Sequence, residues 1–234
     1  AGCASLAWLH SQRLVRWVRP DAAGMWLALR GGAMLFTSRA LISLYTTLVP
    51  LAVGYWSGTT QLAYFNLADK LRTVVQAMLN PVSQALFPRM SWLFQHNSAE
   101  AFVILRKFAV ALMAISGFAG IILFVGAESL MVLLGGADFA NGAEVLRWLA
   151  AVPAIVALSN LMGVQIMLPR GMNAAFTSIL ALASLISVVF LYTMTNEQGA
   201  VGAAQLVFGV EGFVTAAMAM YLWRFGSKSS SRRN

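Results

Sequence analysis

Asn66, Asp69, Thr73, Gln76, Asn80 and Ser83 follow one another at steps of three and four residues, with Phe87 next in the series. On a helix this spacing draws one polar stripe along an otherwise apolar surface. Such a stripe does not face lipid, because a polar group without a partner in hydrocarbon costs several kcal/mol. Two uses remain. It is a seam against a neighbouring helix, with Asp69 and Arg72 paired at i,i+3 and Lys70 reaching outward, or it is the wall of a polar cavity.

Arg39 precedes it on a second, weaker stripe with Ser43, Thr46 and Pro50. It lies too deep in its apolar stretch to reach headgroups easily, and an Arg at such depth costs about 2.5–3.5 kcal/mol on insertion scales. It therefore needs a bound anion in a wet cavity, or an internal partner such as Asp69 or Glu211. Glu211 sits near the middle of the last apolar stretch, one turn before Thr215, where proton coupling and a quiet protonated hydrogen bond are both open to it. Other chemistries find no support. Cys3 is the single cysteine, His10 and His96 are the two histidines, and no acidic cluster stands near them at metal-ligand spacing. No glycine-rich phosphate loop, Ser/His/Asp set or pair of carboxylates on one loop points to an enzyme or a cofactor.

The elements that must carry these residues are membrane helices. Of 234 residues 59% are hydrophobic and 10% charged, and the mean hydropathy is +0.74, against roughly 25% charge in a soluble domain. Stretches 108–127, 148–169 and 171–196 contain no charged residue at all. Each is long enough to span a bilayer. Stretches 31–56, 62–87 and 200–223 fit by length and carry their few charges on stripes. The sequence thus predicts an all-α membrane protein with a bundle of six transmembrane helices over 31–223. Before it come the end of a truncated helix at 1–9 and a basic cytoplasmic linker at 10–30; a disordered cytoplasmic tail follows at 224–234.

Charge between the spans sets the orientation. The formal net charge is +8, which reads as topology here and not as a nucleic-acid surface. Alternate connections hold Arg13, Arg16 and Arg19, then Arg89, Arg106 and Lys107, then Arg170, and finally Arg224, Lys228, Arg232 and Arg233. The intervening connections at 54–61, 128–144 and 193–199 hold no Lys or Arg. By the positive-inside rule the linker and the C-terminus are cytoplasmic. Asn97-Ser98-Ala99-Glu100 reads as a helix cap and Gly135-Gly136-Ala137-Asp138 as a turn. Trp56, Trp92, Trp148 and Trp223 fall near span ends, as an interfacial aromatic belt requires.

The segment Tyr64-Phe65-Asn66-Leu67-Ala68-Asp69-Lys70-Leu71, followed by Asn80-Pro81-Val82-Ser83-Gln84-Ala85-Leu86-Phe87-Pro88-Arg89-Met90-Ser91, resembles polysaccharide-biosynthesis flippases of the O-antigen (Wzx) type. Leu133–Phe139 with Val145-Leu146-Arg147, and Gln165–Gly171, resemble the same family more weakly. That family belongs to the multidrug, oligosaccharidyl-lipid and polysaccharide exporter superfamily, whose members have two helical lobes around a central cavity. The resemblance implies that this chain is the C-terminal lobe, lacking its N-terminal lobe. It implies translocation of an undecaprenyl-pyrophosphate-linked oligosaccharide to the periplasmic leaflet of a bacterial inner membrane, in contact with membrane lipids and glycan polymerase machinery. Arg39, Lys70 and Arg72, with Ser43, Gln76 and Asn80, are then the expected substrate-binding residues, and Asp69 and Glu211 the expected ion-coupling ones. A cation-coupled drug exporter of the superfamily and a non-transporting scaffold for glycan assembly are the alternatives.

Overall fold

The computed structural model describes residues 36–37, 40, 42–43 and 46–225. The helix end expected at 1–9, the linker at 10–30, Arg39 and the tail beyond 225 lie outside the described residues. Nearly every described residue is helical and none is in a strand. Helix α1 covers 46–56, α2 Thr59–His96, α3 Ser98–Val125 and α4 Ala127–Gly135. A 3-10 turn at Ala137–Gly142 leads to α5 (Ala143–Ala150), α6 (Val152–Asn160), a π-helical segment Leu161–Met167 and α7 (Asn173–Phe225). Among the described residues Ser98–Val125, Ala137–Met167 and Asn173–Arg224 are long and apolar enough to cross a bilayer. The chain is an all-α, multi-pass membrane protein. Helix α2 has 38 residues, about 57 Å at 1.5 Å each, but its polar stripe dilutes the apolar run below that threshold.

Local rules account for the helix ends. Asn97 caps α3 as its sequence suggests: its side chain accepts from the Glu100 amide at 3.2 Å, and its Nδ2 donates to the Glu100 carboxylate at 3.3 Å. The Gly136 backbone, at φ 94°, closes α4 in the turn expected there. Glu144 and Arg147, an i,i+3 pair by spacing, stand exposed on α5 without forming an ion pair; water solvates both, so little is gained by joining them.

Helix α3 shows how the bundle meets its surroundings. Its buried residues, Ala101, Leu105, Leu112, Ser116, Gly120 and Leu123, make one narrow stripe. At Gly120 an added Cβ would lie 2.7 Å from the Ala150 carbonyl oxygen, so only glycine lets α3 and α5 approach this closely. Val110, Ile115, Phe118 and Ile122 on its other faces are at least half exposed. An apolar surface of that extent suits lipid and not water.

Helix α7 is two helices. Gly199 breaks it with φ 58° and ψ −133°, and a Cβ at Gly202 would run into the Met194 carbonyl. In a straight helix residues eight apart are about 12 Å from one another, so the second half must turn back against the first. This break falls in the connection expected at 193–199. The groups it orphans are satisfied from the α1–α2 turn: Ser57 Oγ donates to the Thr195 carbonyl at 2.7 Å, and the Ala200 amide donates to Gln61 Oε1 at 3.1 Å. Trp56 and Tyr192 meet edge to face at 5.2 Å. Nearby, Tyr64 Oη donates to the Asp138 carbonyl at 3.0 Å. The three cation-free connections therefore gather at one end of the bundle.

Helix α2 runs from that end past two apolar clusters. Tyr64, Phe65 and Ala68 belong to one, with Val49 and Val53 of α1 and residues of α5 and α7. Leu79, Leu86, Met90 and Leu93 belong to the other, with Ala101 and Leu105 of α3. The polar stripe passes the junction between them.

Candidate functional site

Two of the stripe's charges neutralise each other. Arg72 Nη2 lies 2.6 Å from Asp69 Oδ1, and Arg72 Nε donates to the same oxygen at 2.9 Å. The Arg72 side chain is only 11% exposed and that of Asp69 34%, so the pair is shielded on the cation's side. This is the i,i+3 pairing that the seam reading anticipates. Lys70 beside it is exposed and has no ion-pair partner among the described residues.

The rest of the stripe is not sealed by a neighbour. Asn66, Thr73 and Asn80 are exposed, and Gln76 and Ser83 are half-buried. A covered seam would leave these positions dry. Where α2 passes α3 and α6, Gln76, Asn80 and Ser83 join Asn160 around a cleft of about 60 Å³, backed by Leu112 and Pro153. The lining has amide and hydroxyl groups and no charge.

The π-helical segment braces this cleft from behind. Leu168 N donates to the Gly163 carbonyl at 3.1 Å and Met172 N to that of Met167 at 2.9 Å, both across five residues. The widened turn belongs to a class that often marks functional positions. It buries Gln165 completely. There Gln165 Nε2 donates to the Ser83 carbonyl at 2.7 Å, while its Oε1 is buried with no partner. Past this segment, burial lowers the pKa of Arg170 from its ordinary value, since a desolvated guanidinium loses hydration of its charged form.

The expected site residues are thus distributed. Gln76 and Asn80 share the cleft; Arg72 and Asp69 share an ion pair one turn earlier. Ser43 is exposed, and Arg39 lies outside the described residues. Glu211 is buried in the second half of α7, away from the cleft lining. Asn160 and Gln165 join the site only in the structure. The signal for them is modest: two amides in a charge-free span, five residues apart, which is one π-helical turn. No group of His, Cys, Asp and Glu suited to a metal occurs among the described residues.

A family of polysaccharide biosynthesis proteins matches residues 4–94, which include most of α2 and its stripe. A protein of Escherichia coli (strain K12) named "Putative O-antigen transporter" is 32% identical over 195 residues, 83% of this chain and 47% of its own length. The chain is similar to the polysaccharide biosynthesis protein family over residues 4–94. A relative of the same name from Shigella dysenteriae is 27% identical over 184 residues, 78% of this chain and 46% of its own length. The chain spans about half the length of the curated relatives it matches. No solved structure matches it.

Proposed function

We propose that this chain is the C-terminal lobe of a flippase that moves an undecaprenyl-pyrophosphate-linked oligosaccharide from the cytoplasmic to the periplasmic leaflet of a bacterial inner membrane. The observation that carries the reading is the uncovered polar face of α2 in a bundle that exposes large apolar side chains along α3 and the first half of α7. A polar face of this kind needs a wet cavity, and a second lobe would close that cavity around it. The match to polysaccharide biosynthesis proteins and the names of the relatives support a role in exporting surface polysaccharide.

In this reading six spans cross the membrane with both ends in the cytoplasm, and the gathered cation-free connections form the periplasmic end. Arg39 and Lys70 hold the pyrophosphate, a bidentate guanidinium and a point charge respectively, while Ser43, Gln76 and Asn80 bind other parts of the substrate. Arg72 is the conditional member. Asp69 occupies its guanidinium, so a proton or cation taken up by Asp69 would release Arg72 towards the phosphates. That gives Asp69 its coupling role; Glu211, buried on α7, is the second coupling carboxylate. A drug exporter would call for acidic and aromatic lining, whereas α2 offers amides and cations.

The test uses the whole protein in a strain lacking its flippase. The double variant Asn66→Leu/Thr73→Val, which makes the exposed stripe apolar without touching the core, should abolish surface polysaccharide at unchanged protein level while lipid-linked precursor accumulates. Normal export by that variant would discard the reading, and would leave a scaffold for glycan assembly as the better account.

A further inference from the structure

The cleft of Gln76, Asn80, Ser83 and Asn160 has a chemistry of its own, distinct from the cations one turn away. Nothing charged lines it. A phosphate there would find no cation to replace its water, so the diphosphate is not its occupant. Nor is it a purely apolar slot for a lipid chain, because three amides and a hydroxyl stand among its lining residues. Among the described residues none of the four polar side chains makes a hydrogen bond. Each carboxamide offers two donors and a carbonyl acceptor, the set that a pair of neighbouring hydroxyls can satisfy from both sides. Pro153 and Leu112 present an apolar back against which C–H groups can pack.

Size narrows the ligand further. About 60 Å³ has room for a few groups the size of water, such as the hydroxyl-bearing edge of one pyranose. One end of the cleft is also braced, since Gln165 Nε2 ties the π-helical segment to the Ser83 carbonyl at 2.7 Å. Along α2 it starts four residues beyond Arg72, about 6 Å, and ends eleven residues beyond, about 16 Å. That is the reach from a phosphate to the first sugars attached to it.

We propose that this amide cleft, with Asn160 as its contribution from α6, is a saccharide subsite: it receives one hydroxyl edge of an uncharged sugar near the reducing end of the substrate while the cations hold the diphosphate. The proposal rests on the flippase reading above. It divides recognition between two parts of α2, one for charge and one for hydroxyls.

The test compares two probes on the whole protein in nanodiscs: undecaprenyl pyrophosphate alone, and the same lipid carrying a neutral trisaccharide. Asn160→Leu and, separately, Asn80→Leu should each weaken binding of the glycosylated lipid about tenfold, the scale of an amide left without its hydroxyl partners, and leave the sugar-free lipid within about twofold. Asn80 is exposed on α2, so its variant keeps the test alive if Asn160→Leu fails to fold. Equal losses on both probes, or no loss on either, overturn the subsite while the flippase reading stands. If the unmodified protein binds neither lipid, both fall together.

Discussion

Replacing Gln165 with Met should stabilise the protein. Gln165 is fully buried, makes one hydrogen bond through Nε2 to the Ser83 carbonyl at 2.7 Å, and leaves Oε1 in the interior with no partner. Met fills a similar volume and adapts its shape readily. The substitution loses an interior side-chain hydrogen bond, which averages about 0.6 kcal/mol in membrane proteins. It also removes an unsatisfied buried carbonyl oxygen, whose desolvation costs about 1–3 kcal/mol. The second effect is the larger, so the net change is a gain of about 1 kcal/mol, roughly a fivefold shift in the folded-to-unfolded ratio. Ser83 is not orphaned, because its carbonyl lies within the helical ladder of α2. The assay is reversible unfolding of purified protein in mixed micelles, with Gln165→Leu as a second apolar variant. Destabilisation of both by 1 kcal/mol or more would refute the reasoning, and would mean that the Ser83 contact outweighs the orphaned oxygen.

Gly199→Ala should cost about 1–2 kcal/mol, because φ 58° is a left-handed conformation and the new Cβ would also lie 3.0 Å from Gln61 Oε1; a fall in thermal midpoint with unchanged helix content in circular dichroism is the expected signature. A double-mutant cycle on Asp69→Asn and Arg72→Gln should give a coupling near 1 kcal/mol, the upper end for a pair with one partner a third exposed, and a coupling of zero would show that the contact stabilises nothing. Single cysteines at Thr59, Ala137 and Gln198, in protein without Cys3, should react with an impermeant thiol reagent on intact cells, whereas one at Ser229 should react only after lysis; labelling of Ser229 in intact cells would reverse the topology.

What could be read ahead of the structure depended on how much contrast each stretch carries. Helix α2 was legible because polar residues stand out against apolar ones, so its period, its exposed face and the Asp69–Arg72 pair all follow from spacing. Asn97 and Gly136 were legible because capping and positive φ are local demands. The Leu161–Met167 segment was not. In a run that is apolar on every face a π-turn shifts no visible pattern, and Gln165 gave no hint that it would cross to the carbonyl of a residue 82 positions earlier. Asn160 was hidden for a related reason: a cleft built from three helices belongs to none of their individual periods. Glu144 and Arg147 show the limit of spacing, since an i,i+3 step on an exposed helix does not oblige two hydrated ions to meet.

The turn at Gly199 bears on how the chain enters the bilayer at all. Its two halves are joined by a single non-helical residue rather than by a soluble loop, and the segment 193–199 contains one carboxylate, Glu197, and no Lys or Arg. Acidic groups weigh little in the rules of insertion compared with basic ones, so in the proposed topology this tip is light cargo for the machinery that must push it through. The last two helices can go in as one folded pin, each already satisfying the other's small residues when it meets lipid. A ribosome that stopped before Gly199 would therefore leave behind more than a shorter protein: the first half of the pin would stand in the membrane with its packing face bare.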